Sequence, residues 1–307
     1  MSKPASPPAP SPALLPLGST LKVLRPHPNI LAFYDGRIAG ARAHAAGPNW
    51  LDDGAYALGV CVYAIIEGSE ALLYDTHISL THARLMREAL EREGVTSIRV
   101  VLSHWHDDHV AGNEVFADCE IIALDRTEAA LTAHRAALES GNPPIRPLVM
   151  PNRIITGPTE LSVGSLRVLL EPAEIHSHDG LILLLPDEFI MLAGDTLEEP
   201  ITYVAEPERL PVHVEELKRI RGWGYQRILP NHGAPEVIAA GGYGPSLIDA
   251  TIRYVQKLLR TRSVMSFADQ DLSTFIAEDI AAGHLSYFAP YEEVHANNVK
   301  KVLALPS

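Results

Sequence analysis

The chain has little cysteine. Cys61 and Cys119 are the only two in 307 residues, and they form no CxxC pair, which excludes a disulfide framework and a cysteine-built zinc cluster. Both sit in apolar, β-branched surroundings where a buried, inert thiol is expected. A reducing compartment suits them, so the cytoplasm is the expected location. No apolar run nears the roughly 18 residues of a membrane span. The longest, around Gly180–Pro186, is strand-sized. Positive charge is scarce as well: 25 Lys and Arg face 38 Asp and Glu, a net charge of −13. That balance argues against a nucleic-acid partner, which needs basic surface to neutralise phosphates. There is no glycine-rich phosphate loop and no GxSxG elbow, so neither phosphate-cradling nor serine-nucleophile chemistry is indicated. The start of the chain lacks the continuous apolar core of about 7–15 residues that a secretory signal needs. Pro4, Pro7, Pro8, Pro10, Pro12 and Pro16 interrupt it. Residues 1–18 read as a flexible or polyproline-like tail, or as an arm on a neighbouring subunit.

What remains is an ordinary globular composition, 47% hydrophobic and 21% charged, in which strand-like and helix-like segments alternate. Gly59–Glu67 and Glu70–Asp75 read as a hairpin about Gly68-Ser69. Thr81–Glu93 reads as an amphipathic helix, Ser97–Leu102 and Glu120–Leu124 as strands, and Arg126–Glu139 as a helix. Residues 140–158, with five prolines, read as an extended loop. Four further strands follow between Glu160 and Ala193, then a helix at Val212–Trp223, a strand at Arg227–Leu229 and a long helix at Ser246–Arg262. Residues 271–305 read as mostly helical with a break near Pro290. Strands followed by helices in both halves predict two stacked sheets with helices outside, an αββα sandwich. The expected division is a tail at 1–18, a catalytic domain at 19–262, and a C-terminal helical segment at 263–307 packing on that domain or on a partner subunit.

The densest chemical signal is Ser103-His104-Trp105-His106-Asp107-Asp108-His109, directly after an apolar strand. Imidazole and carboxylate are the ligands that borderline divalent metals prefer. His104 and His106, two apart in extended chain, point the same way. Asp108 and His109 come where the chain turns and can address a second ion; paired metals lie about 3.5–4 Å apart in hydrolytic sites. One loop cannot close two coordination shells. Further candidates sit at the ends of apolar segments: His176 and His178 before a strand, Asp195 after one, and His232 after another.

This ordered set, HxHxDH, then His, then Gly-Asp, then His-Gly, resembles the metallo-β-lactamase superfamily over about residues 57–235. The resemblance implies that His104, His106 and His176 form a first metal site and that Asp108, His109 and His232 form a second. It implies that Asp195 bridges the two, as in the glyoxalase II and lactonase branches, and that Asp75 supports the metal loop by hydrogen bonds. His178 stands where the family often has proline and is open as a pocket, supporting or surface residue. The implied cofactor is two zinc ions per chain, with manganese, iron or cobalt as alternatives. The implied chemistry is attack by a hydroxide shared between the metals, with Asp108 orienting it and carrying a proton to the leaving group.

Asp195 disfavours the branches that place cysteine, or no ligand, at that position. Histidine at position 106 disfavours the flavodiiron branch. Acidity opposes a tRNA-processing nuclease, and the C-terminal helices, with Lys300-Lys301 as their one dibasic pair, lack a basic patch for glutathione. An ester or lactone hydrolase of small molecules is the expectation, with aryl dehalogenation or weak β-lactam hydrolysis as alternatives on the same site. A mononuclear iron dioxygenase is the alternative from another class. Tyr203 is a candidate oxyanion donor. Trp105, His178, Tyr243 and Tyr287 are candidate pocket residues. The acidic surface and the long C-terminal segment suit a homodimer.

Overall fold

The computed structural model describes residues 13–306. The expected tail therefore lies outside the described residues up to residue 12, and its remainder is fixed rather than loose. Ala13–Leu14 pairs in parallel with Ala41–Arg42, and Leu17 packs on a small apolar cluster around Leu51 and Tyr56.

One sheet runs in chain order through β1 (Lys22–His27), β2 (Ile30–Asp35), β3 (Val60–Glu67), β4 (Glu70–Tyr74), β5 (Ser97–Val101), β6 (Glu120–Leu124) and β7 (Arg153–Ile155). The other contains β8 (Thr159–Val163), β9 (Leu166–Pro172), β10 (Leu181–Leu185), β11 (Ile190–Gly194) and β12 (Arg227–Pro230). The β3–β4 hairpin is antiparallel and turns at Gly68-Ser69, as expected. β4 through β7 run parallel, as do β11 and β12. Parallel neighbours need long crossovers; α1 (Leu80–Arg92), α2 (Asp125–Ser140) and α3 (Leu210–Arg221) supply three of the four, and the β5–β6 crossover runs through the short turns Asp107–Val110 and Asn113–Phe116. The loop expected over 140–158 contains the short edge strand β7.

The layers follow from the strand sequences. In β3, Cys61, Tyr63 and Ile65 enter the core between the sheets, while Val62, Ala64 and Ile66 enter the core under the outer helices. A strand buried on both faces reads as a continuous apolar run, and Val-Cys-Val-Tyr-Ala-Ile-Ile is one. In α1, Ser79 caps the first turn, and His82, Ala83, Met86, Ala89 and Leu90 form the buried stripe, the spacing of an amphipathic helix. Burial pushes the Cys61 thiol up to about 12. Cys119 is half-buried, and burial pushes its thiol up to about 11, so both stay protonated at neutral pH.

On the outer face of the second sheet lie α3, α4 (Ser246–Leu259) and the C-terminal helices, of which the longest is α5 (Tyr291–Leu303). Leu272, Phe275, Tyr291, Val294 and Val302 share one apolar cluster with Ile182, Met191 and Ile228 of that sheet. The C-terminal segment is thus part of the outer helical layer, with no separate core. Pro290 stands at the N-cap of α5, where its missing N–H costs nothing. Among the described residues no helix is long and apolar enough to cross a membrane.

Candidate metal centre and the cavity above it

Every expected ligand leaves a strand at the same edge of the sandwich. His104 to His109 follow β5, His176 lies between β9 and β10, Asp195 follows β11 and His232 follows β12. Two backbone features make this convergence possible. Gly194 has φ +56°, and a Cβ there would stand 2.7 Å from the Tyr74 hydroxyl, so the turn presenting Asp195 admits only glycine. His176 itself adopts φ +66°, an uncommon backbone state for a residue with a Cβ. The strain is held where it aims the ring inward.

The ligand atoms form two adjoining groups. His104, His106 and His176 make one; Asp108, His109, Asp195 and His232 make the other. In the first, Nε2 of His104 and Nε2 of His176 lie 2.9 and 3.0 Å from Nδ1 of His106. In the second, Oδ2 of Asp195 lies 3.1 Å from Nε2 of His109 and 3.4 Å from Nε2 of His232. The same oxygen is 3.8 and 3.7 Å from Nε2 of His104 and His176, so it faces both groups.

The outer ring nitrogens are held in turn. Nδ1–H of His176 donates to the Tyr203 carbonyl (3.0 Å), and Nδ1–H of His232 donates to the Gly59 carbonyl (2.7 Å). His104 Nδ1 is bonded to Ser103 Oγ (2.9 Å), and His109 Nδ1–H donates to Asp75 (2.8 Å). Buried Asp75 also accepts from the Ser103 amide and hydroxyl and from Asn231 Nδ2, each at 2.7 Å. With Nδ1 of His104 and of His176 protonated, their inner nitrogens are lone pairs aimed at His106. His106 Nδ1 can offer at most one proton to the two, so the first group calls for a cation between its rings.

Charge says the same. Burial pushes His104 well below the usual imidazole range, and it drives His106 down to about 3, helped by repulsion from His176. Burial acts to lower His109 and His232 too, but the surrounding carboxylates, Asp195 foremost, raise both well above that range. In the metal-free centre these two rings hold protons as counter-charge to Asp108 and Asp195. A divalent cation would take their place and release them. Asp195 Oδ1 is buried and has no hydrogen-bond partner among the described residues. The nitrogen-and-oxygen donor set, the facing lone pairs and this orphan oxygen fit divalent metal.

A cavity of about 410 Å³ opens on these groups, lined by His106, Asp108, His176, Asp195 and His232. That volume lies within the span of small-molecule sites. One wall is the short helix Leu51–Tyr56 with its flanks, contributing Trp50, Asp53, Ala55 and Leu58; another is α5, contributing Glu293, Val294 and Asn297. Tyr203 and Glu198 complete it.

Of the expected pocket residues, none lines this cavity, and each has other partners. Trp105 stacks on His134 with ring centroids 4.1 Å apart. His178 is bonded to Glu206 at 2.6 Å. The Tyr243 hydroxyl accepts from the Ala234 amide at 2.7 Å, below the turn that carries His232, and exposed Tyr287 donates to Glu292. Lys301, of the one dibasic pair in the C-terminal helices, donates to the Val204 carbonyl (2.7 Å) and lies over the Tyr203 ring (4.2 Å). Trp50, Glu198 and the α5 residues were not singled out in the sequence. Only Glu198 carried a signal, its position three residues after Asp195.

His176 rather than His178 joins the ligand group, so His178→Ala should retain the full metal content. Its hydrolytic rate should stay within about threefold, the level of a surface substitution. Metal analysis of the purified variant checks this; a lost equivalent would assign the ligand to His178.

Residues 56–232 match the metallo-beta-lactamase superfamily. The chain is 25% identical over 187 residues to a beta-lactamase-like protein 2 homolog of Drosophila melanogaster, covering 57% of this chain and 59% of that protein. It is 25% identical over 177 residues to the atrochrysone carboxyl ACP thioesterase AacuM of Aspergillus aculeatus, covering 57% of this chain and 51% of that one. The match thus spans little more than half the length of these relatives. Among solved structures, VMB-1 superposes with a TM-score of 0.59 at 18% identity, over 77% of this chain and 97% of that one. A metallo-beta-lactamase from Pontibacter korlensis gives 0.55 at 14% identity, over 75% and 99%. At such identity these two structures speak for the αββα fold alone. With the family match covering more than half of its length, the chain belongs to the metallo-beta-lactamase superfamily.

Proposed function

We propose that this protein is a zinc-dependent hydrolase, with two metal ions per chain, that cleaves a small-molecule ester or lactone. The observation that carries the reading is the cavity. It opens on both donor groups, and among the described residues its lining contains no serine, threonine or cysteine. That lining supports water as the nucleophile. Divalent cations in such a site supply Lewis acidity and bring the pKa of water from 15.7 to about 7.

The chain's own residues then divide the work. His104, His106 and His176 hold one ion and Asp108, His109 and His232 the other, with Asp195 shared. Asp108, on the cavity surface beside His232, orients water and passes its proton to the leaving oxygen. The water oxygen joins the acyl carbon as the acyl C–O bond breaks, giving an acid and an alcohol. Tyr203 lines the cavity and is the proposed donor for the carbonyl oxygen; Lys301 donates to its hydroxyl at 3.1 Å, which leaves the phenolic proton free. The relative named as a thioesterase also splits an acyl bond, which supports acyl transfer to water as the reaction class. Two protonated, unpaired thiols suit the cytoplasm, and a homodimer is the assembly we infer.

The test is an initial-rate panel on zinc-loaded protein: an acyl-homoserine lactone, an aryl ester, a phosphodiester, a chlorinated nitrile-bearing arene and a chromogenic cephalosporin, with Asp108→Ala as control. The reading expects the lactone or ester to dominate, a loss of at least about 100-fold in the control, and two zinc per chain. Dominance of the chloroarene or cephalosporin would move the substrate within the same chemistry. One iron per chain and silence across the panel would overturn the reading in favour of the dioxygenase.

A further inference from the structure

The cavity lining is uneven in charge. Among the described residues it contains no lysine or arginine, whereas Asp53, Asp107, Asp108, Asp195, Glu198 and Glu293 all reach it. Most of these carboxylates are already engaged. Asp108 and Asp195 face the ligand histidines. Asp53 is paired with Arg42 at 2.5 Å. Glu198 accepts from the Tyr203 amide (2.7 Å) and from the Tyr291 hydroxyl (3.2 Å). Asp107 and Glu293 differ: among the described residues neither has an ion pair or side-chain hydrogen bond, but Asp107 stands on the metal loop itself, whereas Glu293 stands exposed on the α5 wall.

Its position on α5 is held from behind. Buried Asn298 accepts from the Val204 amide (2.9 Å) and donates to the Thr202 carbonyl (2.8 Å). Lys301 bonds the Val204 carbonyl. Pro290, Glu293, Val294 and Asn297 therefore form one stripe at helical spacing, turned to the cavity. The cavity also holds an aromatic face: Trp50 lines it, and its Nε1–H is tied to the Pro143 carbonyl at 2.8 Å. That the space receives a substrate follows from its opening directly on both donor groups.

We propose that the pocket selects substrates bearing a cationic group, an ammonium or quaternary ammonium, on the part of the molecule that rests against α5, with Glu293 as its counter-charge. The inference rests on the hydrolase reading for the reaction and goes beyond it in naming the substrate class. An anion there would meet an unpaired carboxylate, and Lys301 of the same helix is already engaged with the Val204 carbonyl and the Tyr203 hydroxyl. A cation would meet Glu293 and the aromatic wall, where a ring face adds to the attraction. The specificity residue lies far along the chain from every metal ligand, so changing it alters recognition and leaves the metal-binding groups in place.

The isosteric pair 3-(trimethylammonio)phenyl acetate and 3-tert-butylphenyl acetate isolates the charge. On zinc-loaded full-length protein, the ratio of kcat/KM for the cationic over the neutral ester should fall about fivefold in Glu293→Gln. It should fall further in Glu293→Lys, and the difference should shrink at high salt. In parallel, titration calorimetry with the two corresponding phenols should show the same change in affinity ratio. An unchanged ratio in both variants overturns the inference while leaving the hydrolase reading intact. If neither ester is hydrolysed, the reaction assignment fails, and the phenol affinities alone decide the charge preference. A fivefold change in their ratio would sustain it; no change would end it.

Discussion

Asp195→Ala should reduce bound metal from two equivalents to one or fewer and lower the hydrolytic rate by at least about 100-fold, because even residues that only support ligands cost 10–100-fold when removed. Its Oδ2 lies 3.1 to 3.8 Å from the inner nitrogens of His109, His232, His176 and His104, so one atom addresses both donor groups. No other carboxylate does so. Glu198, the nearest substitute, approaches His176 from the outer side, with Oε1 3.4 Å from Nδ1. The carboxylate is also held well below the usual range, despite burial, by His109 and His232, so it is ionised at neutral pH. Metal analysis and initial rates on the same preparation provide the check. Unchanged metal content would show that the two groups do not share this residue.

The second large effect is expected at Asp75, which belongs to neither donor group but bonds His109 and the neighbours of His104 and His232. It is fully buried and accepts from Ser103, Asn231 and His109. Alanine there would leave these donors unpaired, and would also put a non-polar residue at φ +70°, a state Asp and Asn tolerate better than most. Asp75→Asn separates the two effects. Its amide keeps the backbone state and one acceptor oxygen but turns an N–H₂ toward other donors. We expect the metal-free Asn variant to lose about 3 kcal/mol in urea unfolding, the scale for breaking a buried charged hydrogen-bond network. Metal affinity should fall 10- to 100-fold. Wild-type stability together with wild-type metal affinity would mean that the Ser103–His109 loop is set by packing alone.

Much of the architecture was legible because its elements carry strong local signals. The β3–β4 hairpin is two apolar runs about a Gly-Ser turn, and α1 and α4 have apolar stripes at helical spacing. β1 and β2 went unread. Lys22–His27 is an exposed edge strand containing Pro26, so it has neither alternation nor a buried run. The short helix Leu51–Tyr56, with two aspartates and a glycine in six residues, has no periodicity, yet it makes a cavity wall. β7 is three residues inside a proline-rich stretch. It is a strand because β6 offers it an edge.

The sequence by itself determined the chemistry of the centre. Metal preference belongs to residue type, and the order His-x-His-x-Asp-His, His, Asp, His at the ends of apolar segments places those types at strand ends, which meet at one edge of the sandwich. Tertiary structure alone decided what the centre faces. Trp50 and Glu293 are brought to one cavity by the packing of an aperiodic turn and a C-terminal helix against opposite sides of the site. Tyr243 is turned away from the cavity to brace the His232 loop, and Trp105 is drawn off to stack on His134. Such placements depend on which surfaces meet across the whole chain. Periodicity records only which face of an element is buried, and it is silent on what lies opposite.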